Sequence, residues 1–170
     1  KSKSNISIQK NNLQYLNKQL SYSKIKDNLL IIGQPLVEKN IISISRYRKY
    51  IDLICSIHSF KKIIYFPSRK EKKSKLLKIA ENKKIIIESP ESCLEVFLIK
   101  NNLLPKMVVG FSSTALITLD KIFNSRKHKK IEILSYMIKY ENSKTDLYND
   151  LYDHLRNYNI KINKDALQYI

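Results

Sequence analysis

Two short segments of this chain have the residue types and spacing to hold an anion. The first is Gly110-Phe111-Ser112-Ser113-Thr114, directly after the apolar run Met107-Val108-Val109. If the run is a strand and the following residues start a helix, backbone N–H groups and serine hydroxyls converge there on a site for phosphate or carboxylate. A plain Ser or Thr helix cap reads equally from the same residues. The second segment is Pro67-Ser68-Arg69-Lys70-Glu71, which closes the run Ile63-Ile64-Tyr65-Phe66 with a hydroxyl, two cations and a carboxylate. A third run, Leu29-Leu30-Ile31-Ile32, ends in Gly33-Gln34. Gly33 and Gly110 are the only 2 glycines in 170 residues. Glycine lets a backbone turn sharply or approach a ligand closely. In a parallel α/β sheet, ligands bind beyond the carboxyl ends of the strands.

Glu88, Glu91 and Glu95 follow a further short run, Ile85-Ile86-Ile87, and carboxylates near strand ends suit ribose hydroxyls. Glu91 also reads as a charge complementing a helix N-terminus, and Glu88 as a solvated side chain. Glu95 lies inside the apolar stretch Cys93-Leu94-Glu95-Val96-Phe97-Leu98, which favours a position facing a cavity. The phosphate loops G-x-G-x-x-G and G-x-x-x-x-G-K-[ST] are absent, which excludes a typical dinucleotide binder and a P-loop NTPase.

The elements that must position these residues alternate in period. Helical spacing runs over 11–23, 41–59, 71–82, 92–101, 114–123 and 146–158, with Leu76, Leu77 and Ile79 as the apolar positions of the third. Strand-like runs cover 29–32, 63–66, 85–87, 107–110 and 131–138. This alternation predicts an α/β fold with a doubly wound, Rossmann-like parallel sheet. Residues 1–28 read as an N-terminal helical extension or inter-domain connection, and 29–170 as the Rossmann-like domain.

A chain of 170 residues with 43% hydrophobic content can bury a full core. Cys55 and Cys93 both fall in apolar helical patterns and read as buried free thiols in a reducing compartment. No Cys/His spacing suits zinc, and no metal is expected. No run approaches the roughly 20 apolar residues of a membrane span. The start carries no signal-peptide pattern, so the expected location is cytoplasmic. The only methionines are Met107 and Met137, so the chain is expected to be part of a longer protein.

The formal net charge of +17 invites a nucleic-acid reading. The lysines are dispersed, however, and Lys, Ile, Asn and Tyr are abundant together, as AT-rich codon usage would produce. The densest clusters are 70–78 and 126–130, both read as solvated surface. Nucleic acid is not the expected partner, whereas peripheral contact with an anionic membrane is compatible with this charge.

The stretch from Leu94 through Leu116 resembles the nucleotide-binding domain of bacterial sialyltransferases, closest to glycosyltransferase family 52, the lipooligosaccharide sialyltransferases, and more distantly family 80. Gly33-Gln34-Pro35-Leu36 and the block from Tyr65 to Glu71 resemble further family blocks in the same order, so the likeness covers about 29–123. The resemblance implies the C-terminal, CMP-sugar-binding half of a two-domain GT-B enzyme, acting without a metal on CMP-sialic acid or a similar nucleotide sugar and a bacterial surface glycan, with the N-terminal half supplying the catalytic base. It implies that Glu95 holds the ribose hydroxyls, that Ser112 and Ser113, within the Gly110–Thr114 turn, hold the phosphate, and that Gly33 and Gln34 line the donor pocket, with Pro67 and Arg69 beside them.

One position departs from the family. Ser68 stands where the family has a histidine that protonates the leaving phosphate, and a serine hydroxyl cannot supply a proton near neutral pH as imidazole does. Arg69 or Lys70 can still stabilise that charge electrostatically. Ser68 also reads as a cap for the basic helix after it. Two other classes stay open on the sequence: a basic nucleic-acid-binding module and a non-catalytic nucleotide-fold domain.

Overall fold

Apolar runs of four or five residues bounded by polar loops are too short for core helices and too uniformly apolar for one-sided strands. They become strands buried on both faces. The computed structural model describes residues 13–20, 24–88, 92–123, 131–139 and 145–164. Six strands form one sheet: β1 (Ile25–Ile32), β2 (Lys62–Phe66), β3 (Ile85–Ile87), β4 (Leu104–Gly110), β5 (Glu132–Tyr136) and β6 (Lys161–Asn163). All neighbouring pairs are parallel. Their order is β3-β2-β1-β4-β5-β6. The helices are α1 (Gln14–Gln19), α2 (Ile44–Ile57), α3 (Lys73–Ala80), α4 (Leu94–Lys100), α5 (Thr114–Phe123) and α6 (Thr145–Leu155). The fold is the doubly wound, Rossmann-like α/β arrangement that the alternation predicts.

The two-residue period of the strands splits the core in two. Leu29, Ile31, Ile63, Tyr65, Met107 and Val109 pack under Tyr47, Tyr50, Ile51 and Ile54 of α2 and Ile79 of α3. Leu30, Ile32, Ile64, Phe66 and Val108 pack against α4, α5 and α6 through Leu98, Leu116, Leu119, Tyr152 and Leu155. Leu13 and Leu16 rest on this second layer, and Leu20 is buried in it, so α1 docks against α4 and α5.

After β1 the chain turns one way to lay down β2 and β3, then returns to the other side of β1 as β4. The strand order reverses between β1 and β4, and the carboxyl ends of these two strands therefore frame a crevice. The register brings Ile31 level with both Tyr65 and Val109, so the three strand ends finish side by side.

The main differences from the sequence expectation are in three strands and one helix. Strand β1 starts at Ile25, because Ile25 and Lys26 pair with Leu104 and Pro105 while exposed, and its first three residues carry no buried pattern. Strand β4 starts at Leu104 and includes Pro105, beside an irregularity in the β1 register between Lys26 and Leu29. Strand β6 was not expected at all; Lys161-Ile162-Asn163 is a short edge strand without an apolar run. Helix α2 is shorter than 41–59, with the Ser43 hydroxyl capping it by accepting from the Arg46 N–H at 3.3 Å. Among the described residues no helix is long and apolar enough to cross a membrane.

Candidate functional site

The crevice at the strand-order reversal has a volume of about 390 Å³. Five of the expected site residues line it: Gly33 from the end of β1, Pro67, Ser68 and Arg69 from the end of β2, and Ser113 from the loop after β4. Glu71 and the α4 entrance, Ser92, Cys93 and Leu94, complete its wall. Four segments separated in sequence thus contribute to one concave surface.

Beneath Gly33 the end of β1 and β2 is a buried polar network. The Lys75 ammonium is inside the protein, at 2% exposure, and the Glu71 side chain is fully covered. Lys75 Nζ lies 3.3 Å from Glu71 Oε1 and 3.6 Å from Glu38 Oε2, and donates to the Gln34 carbonyl at 2.5 Å. It also stands 3.6 Å from the centre of the Tyr47 ring, a cation–π geometry. The Tyr65 hydroxyl donates to Glu71 Oε2 at 2.9 Å, and the Tyr47 hydroxyl is 2.9 Å from that of Tyr65. With Tyr65 donating to the carboxylate, Tyr47 donates to Tyr65, and the Gln34 N–H donates to Tyr47 at 3.2 Å. Burial raises the pKa of Glu71 despite the nearby Lys75, and burial lowers that of Lys75 despite its two carboxylates. Burial, reinforced by the Glu71 charge, pushes the Tyr47 hydroxyl well up; for Tyr65, burial and then Tyr47 and Glu71 do the same.

Gly33 is what makes room for this network. A Cβ there would stand 2.6 Å from the Tyr65 hydroxyl and 2.7 Å from Glu71 Oε1. Neither glycine has a positive φ, so neither is required by a turn. The atoms nearest a Cβ at Gly110 would be Leu116 side-chain carbons, the first at 3.3 Å.

The end of β4 is built differently. Phe111 is fully buried, edge-on to the rings of Tyr47 and Tyr50 at 5.4 and 6.0 Å, and offers no surface to the crevice. The Phe111 carbonyl accepts from the buried Ser135 hydroxyl at 2.7 Å. Ser113 caps α5, its hydroxyl accepting from the Ala115 N–H at 3.3 Å. Thr114 is exposed as the first residue of α5, outside the crevice lining. Ser112 is buried, and among the described residues its hydroxyl has no hydrogen-bond partner.

Gln34 joins the two ends. Its amide Nε2 donates to the Ser112 carbonyl at 2.6 Å, while its own carbonyl receives Lys75. Its Oε1 is buried with no partner among the described residues. Gln34, Gly110, Phe111 and Ser112 therefore support the crevice from behind, whereas Gly33, Ser68, Arg69 and Ser113 face it. Glu95 lies in the first turn of α4, half-buried, beside the lining residue Leu94 and not itself in the lining. Glu91 and the cluster at 126–130 lie outside the described residues.

Three sequence expectations are corrected here. Cys93 is exposed at the crevice wall, and only Cys55 is buried, where burial pushes its thiol up to about 11. The basic cluster at 70–78 is not all surface: Lys75 points inward while Leu77 is 61% exposed. The inward stripe of α3 is Lys75–Ile79, continuing the spacing from Glu71. Ser68 does not cap α3, which begins at Lys73 with Lys72 in the cap position; its carbonyl instead accepts from the Glu71 N–H at 3.0 Å, closing a turn. Sequence reasoning missed Tyr47, Tyr65, Glu71 and Lys75 as a unit. The Glu71–Lys75 spacing of four residues was the available signal.

Chemically, the crevice offers hydroxyls, the α5 N-terminus and the Arg69 cation to an anionic ligand, with apolar walls from Ile32, Phe66 and Leu76. Among the described residues no group of three or more His, Cys, Asp or Glu side chains is arranged to hold a metal ion. No protein-family model matches the chain, and no curated protein matches it.

Proposed function

We infer that the crevice binds a CMP-activated sugar, and that this chain is the donor-binding domain of a sialyltransferase-like, inverting glycosyltransferase of the GT-B type. The observation that carries this reading is the convergence of Gly33, Pro67-Ser68-Arg69 and Ser113 on one crevice at the strand-order reversal. These residues belong to the three sequence blocks that carry the sialyltransferase resemblance, and such a crevice is where doubly wound sheets bind nucleotides. On this reading Ser113 and the α5 N-terminus receive the phosphate, with the Ser112 hydroxyl beneath, and Glu95 lies at the α4 side for the ribose. The acceptor hydroxyl, deprotonated by a base on a facing domain, attacks the anomeric carbon through an oxocarbenium-like state. The bond from that carbon to the phosphate oxygen breaks, and CMP leaves as an anion beside Arg69.

Ser68 supports a second reading, a domain that binds the nucleotide without transferring the sugar. It lines the crevice with a hydroxyl that cannot titrate near neutrality.

Calorimetric titration of the chain with CMP and with UDP tests the assignment. Weak but measurable heat with CMP, and less with UDP, is the expected result. Clear heat with UDP and none with CMP would overturn the cytidine reading.

A further inference from the structure

The largest of the cavities described is not the candidate site. A depression of about 640 Å³ lies at the opposite, amino-terminal edge of the sheet. Its charged rim is formed by Lys61 and Lys62 at the start of β2 and by Lys83 and Lys84 just before β3. Lys24 and Lys26, exposed at the start of β1, extend the same edge. The only carboxylate in the lining, Asp27, is already engaged by Lys106 at 3.4 Å. Lysines here also complement the negative C-terminal ends of helices α2 and α3, which run antiparallel to the strands. That role accounts for the sign of the charge but not for what lies between the lysines.

Between them are exposed aliphatic side chains. Five large hydrophobic residues are exposed among those described, and three belong to this edge: Ile57 at 47%, Ile86 at 44% and Ile25 at 39%. Ile86 lines the depression, and Ile57 ends α2 beside its lining residues Ser56 and His58. Phe60, part-buried in the depression wall, adds an aromatic ring. Cations interleaved with exposed aliphatic groups match the two attractions of a bilayer surface. Lysines gain from anionic headgroups, and isoleucines gain from entering the acyl boundary. A nucleic acid would use the charge equally well, but the two rings of the wall, Phe60 and His58, are part-buried 6.3 Å from one another, and the exposed groups, Ile25, Ile57 and Ile86, offer no flat face on which a base could stack.

We propose that the amino-terminal edge of the sheet, with Lys61, Lys62, Lys83 and Lys84 around Ile57 and Ile86, is a docking surface for an anionic lipid bilayer. The candidate site lies at the other end of the strands and stays open to solvent when this edge is docked. The inference is independent of which ligand the crevice binds.

Vesicle co-sedimentation tests it, with phosphatidylcholine vesicles against vesicles in which about one-third of the lipid is phosphatidylglycerol. The protein is expected to sediment with the anionic vesicles, not with the neutral ones, and to be released by salt. The triple variant Lys61→Glu, Lys83→Glu, Lys84→Glu should lose about 100-fold in apparent affinity. The pair Ile57→Ser, Ile86→Ser should weaken binding about tenfold while leaving the salt dependence intact. A control with the same charge change on exposed lysines elsewhere, Lys39→Glu, Lys49→Glu, Lys73→Glu, should lose far less than the first triple. No sedimentation with anionic vesicles overturns the proposal, as does an equal loss in the control. It is equally overturned if the chain binds a single-stranded oligonucleotide more tightly than the vesicles and the first triple abolishes that binding. Self-association through the β3 edge, seen as a dimer that the isoleucine pair dissolves and that does not sediment with vesicles, also overturns it.

Discussion

The two glycine-marked strand ends look alike in sequence and are built on opposite principles. At the end of β1, Gly33 makes space for an internal carboxylate, and the surroundings are a charged cluster from four elements or loops in which Gln34 Oε1 and Glu38 Oε2 accept no hydrogen bond among the described residues. At the end of β4, Gly110 makes space for leucine carbons, and the surroundings are an aromatic core with one buried hydroxyl left over. The first end pairs its charges internally, Lys75 lying against Glu71 and Glu38 and the Tyr65 hydroxyl donating to Glu71. The second leaves polar capacity unused. The lesson is that a glycine after an apolar run marks a close approach, but what approaches can be the protein itself.

The sharpest way to break this contrast is to remove the ammonium that anchors the first end. Lys75→Met leaves Glu71 and Glu38 without their buried cation, and stability should fall by about 3–5 kcal/mol. Denaturant unfolding at two pH values reads both the size and the sign. Glu71 has a raised pKa in the folded state, so its contribution is fully present below its unfolded value and is lost as pH rises through the folded value. Without Lys75 that pKa rises further. The deficit of the variant should therefore be smaller near pH 4 than near pH 8; a deficit that shrinks as pH rises would show that Glu71 is not the unpaired group.

The glycines themselves sharpen the comparison at a smaller scale. Gly33→Ala drives a methyl group against the Tyr65 hydroxyl and the held Glu71 carboxylate, and should cost about 1–3 kcal/mol in thermal unfolding. Gly110→Ala first meets the Leu116 side chain, which can shift by a few tenths of an ångström, and should cost under about 1 kcal/mol. Equal costs would erase the distinction between the two ends. The smallest expected effect on stability is that of Ser112→Ala. It deletes a buried hydroxyl that has no partner among the described residues, so stability should stay within about 0.5 kcal/mol of the parent or rise. If the hydroxyl serves the phosphate, the same variant weakens CMP binding in the titration described above.

Much of this architecture was readable because the buried strands are uninterrupted apolar runs. Leu29 to Ile32, Ile63 to Phe66 and Met107 to Val109 are buried throughout, none more than 8% exposed, and could hardly be anything else. The three strand ends that frame the crevice were legible for the same reason. What stayed hidden depended on tertiary partners. Strand β6 and the first half of β1 are polar and pair at edges or beside an irregular register, so no hydrophobic pattern reports them. Lys75 is one lysine in a row of lysines. Composition cannot say that it turns inward, since the reason is Glu71 and Glu38 waiting there. Cys93 has an apolar neighbourhood in sequence yet ends at the mouth of the crevice, because α4 begins only at the next residue.

The hydrogen bond from Gln34 to Ser112 spans 78 residues of chain. Three strands, three helices and their connections must be made between its donor and its acceptor. A nascent chain that has produced β1, β2 and β3 holds the charged end of the crevice but no opposite wall. Closing so long a loop carries an entropic penalty that only the β1–β4 pairing can offset. The binding surface therefore belongs to the late part of assembly, and a chain interrupted before β4 would carry the Lys75 cluster with half its shelter missing.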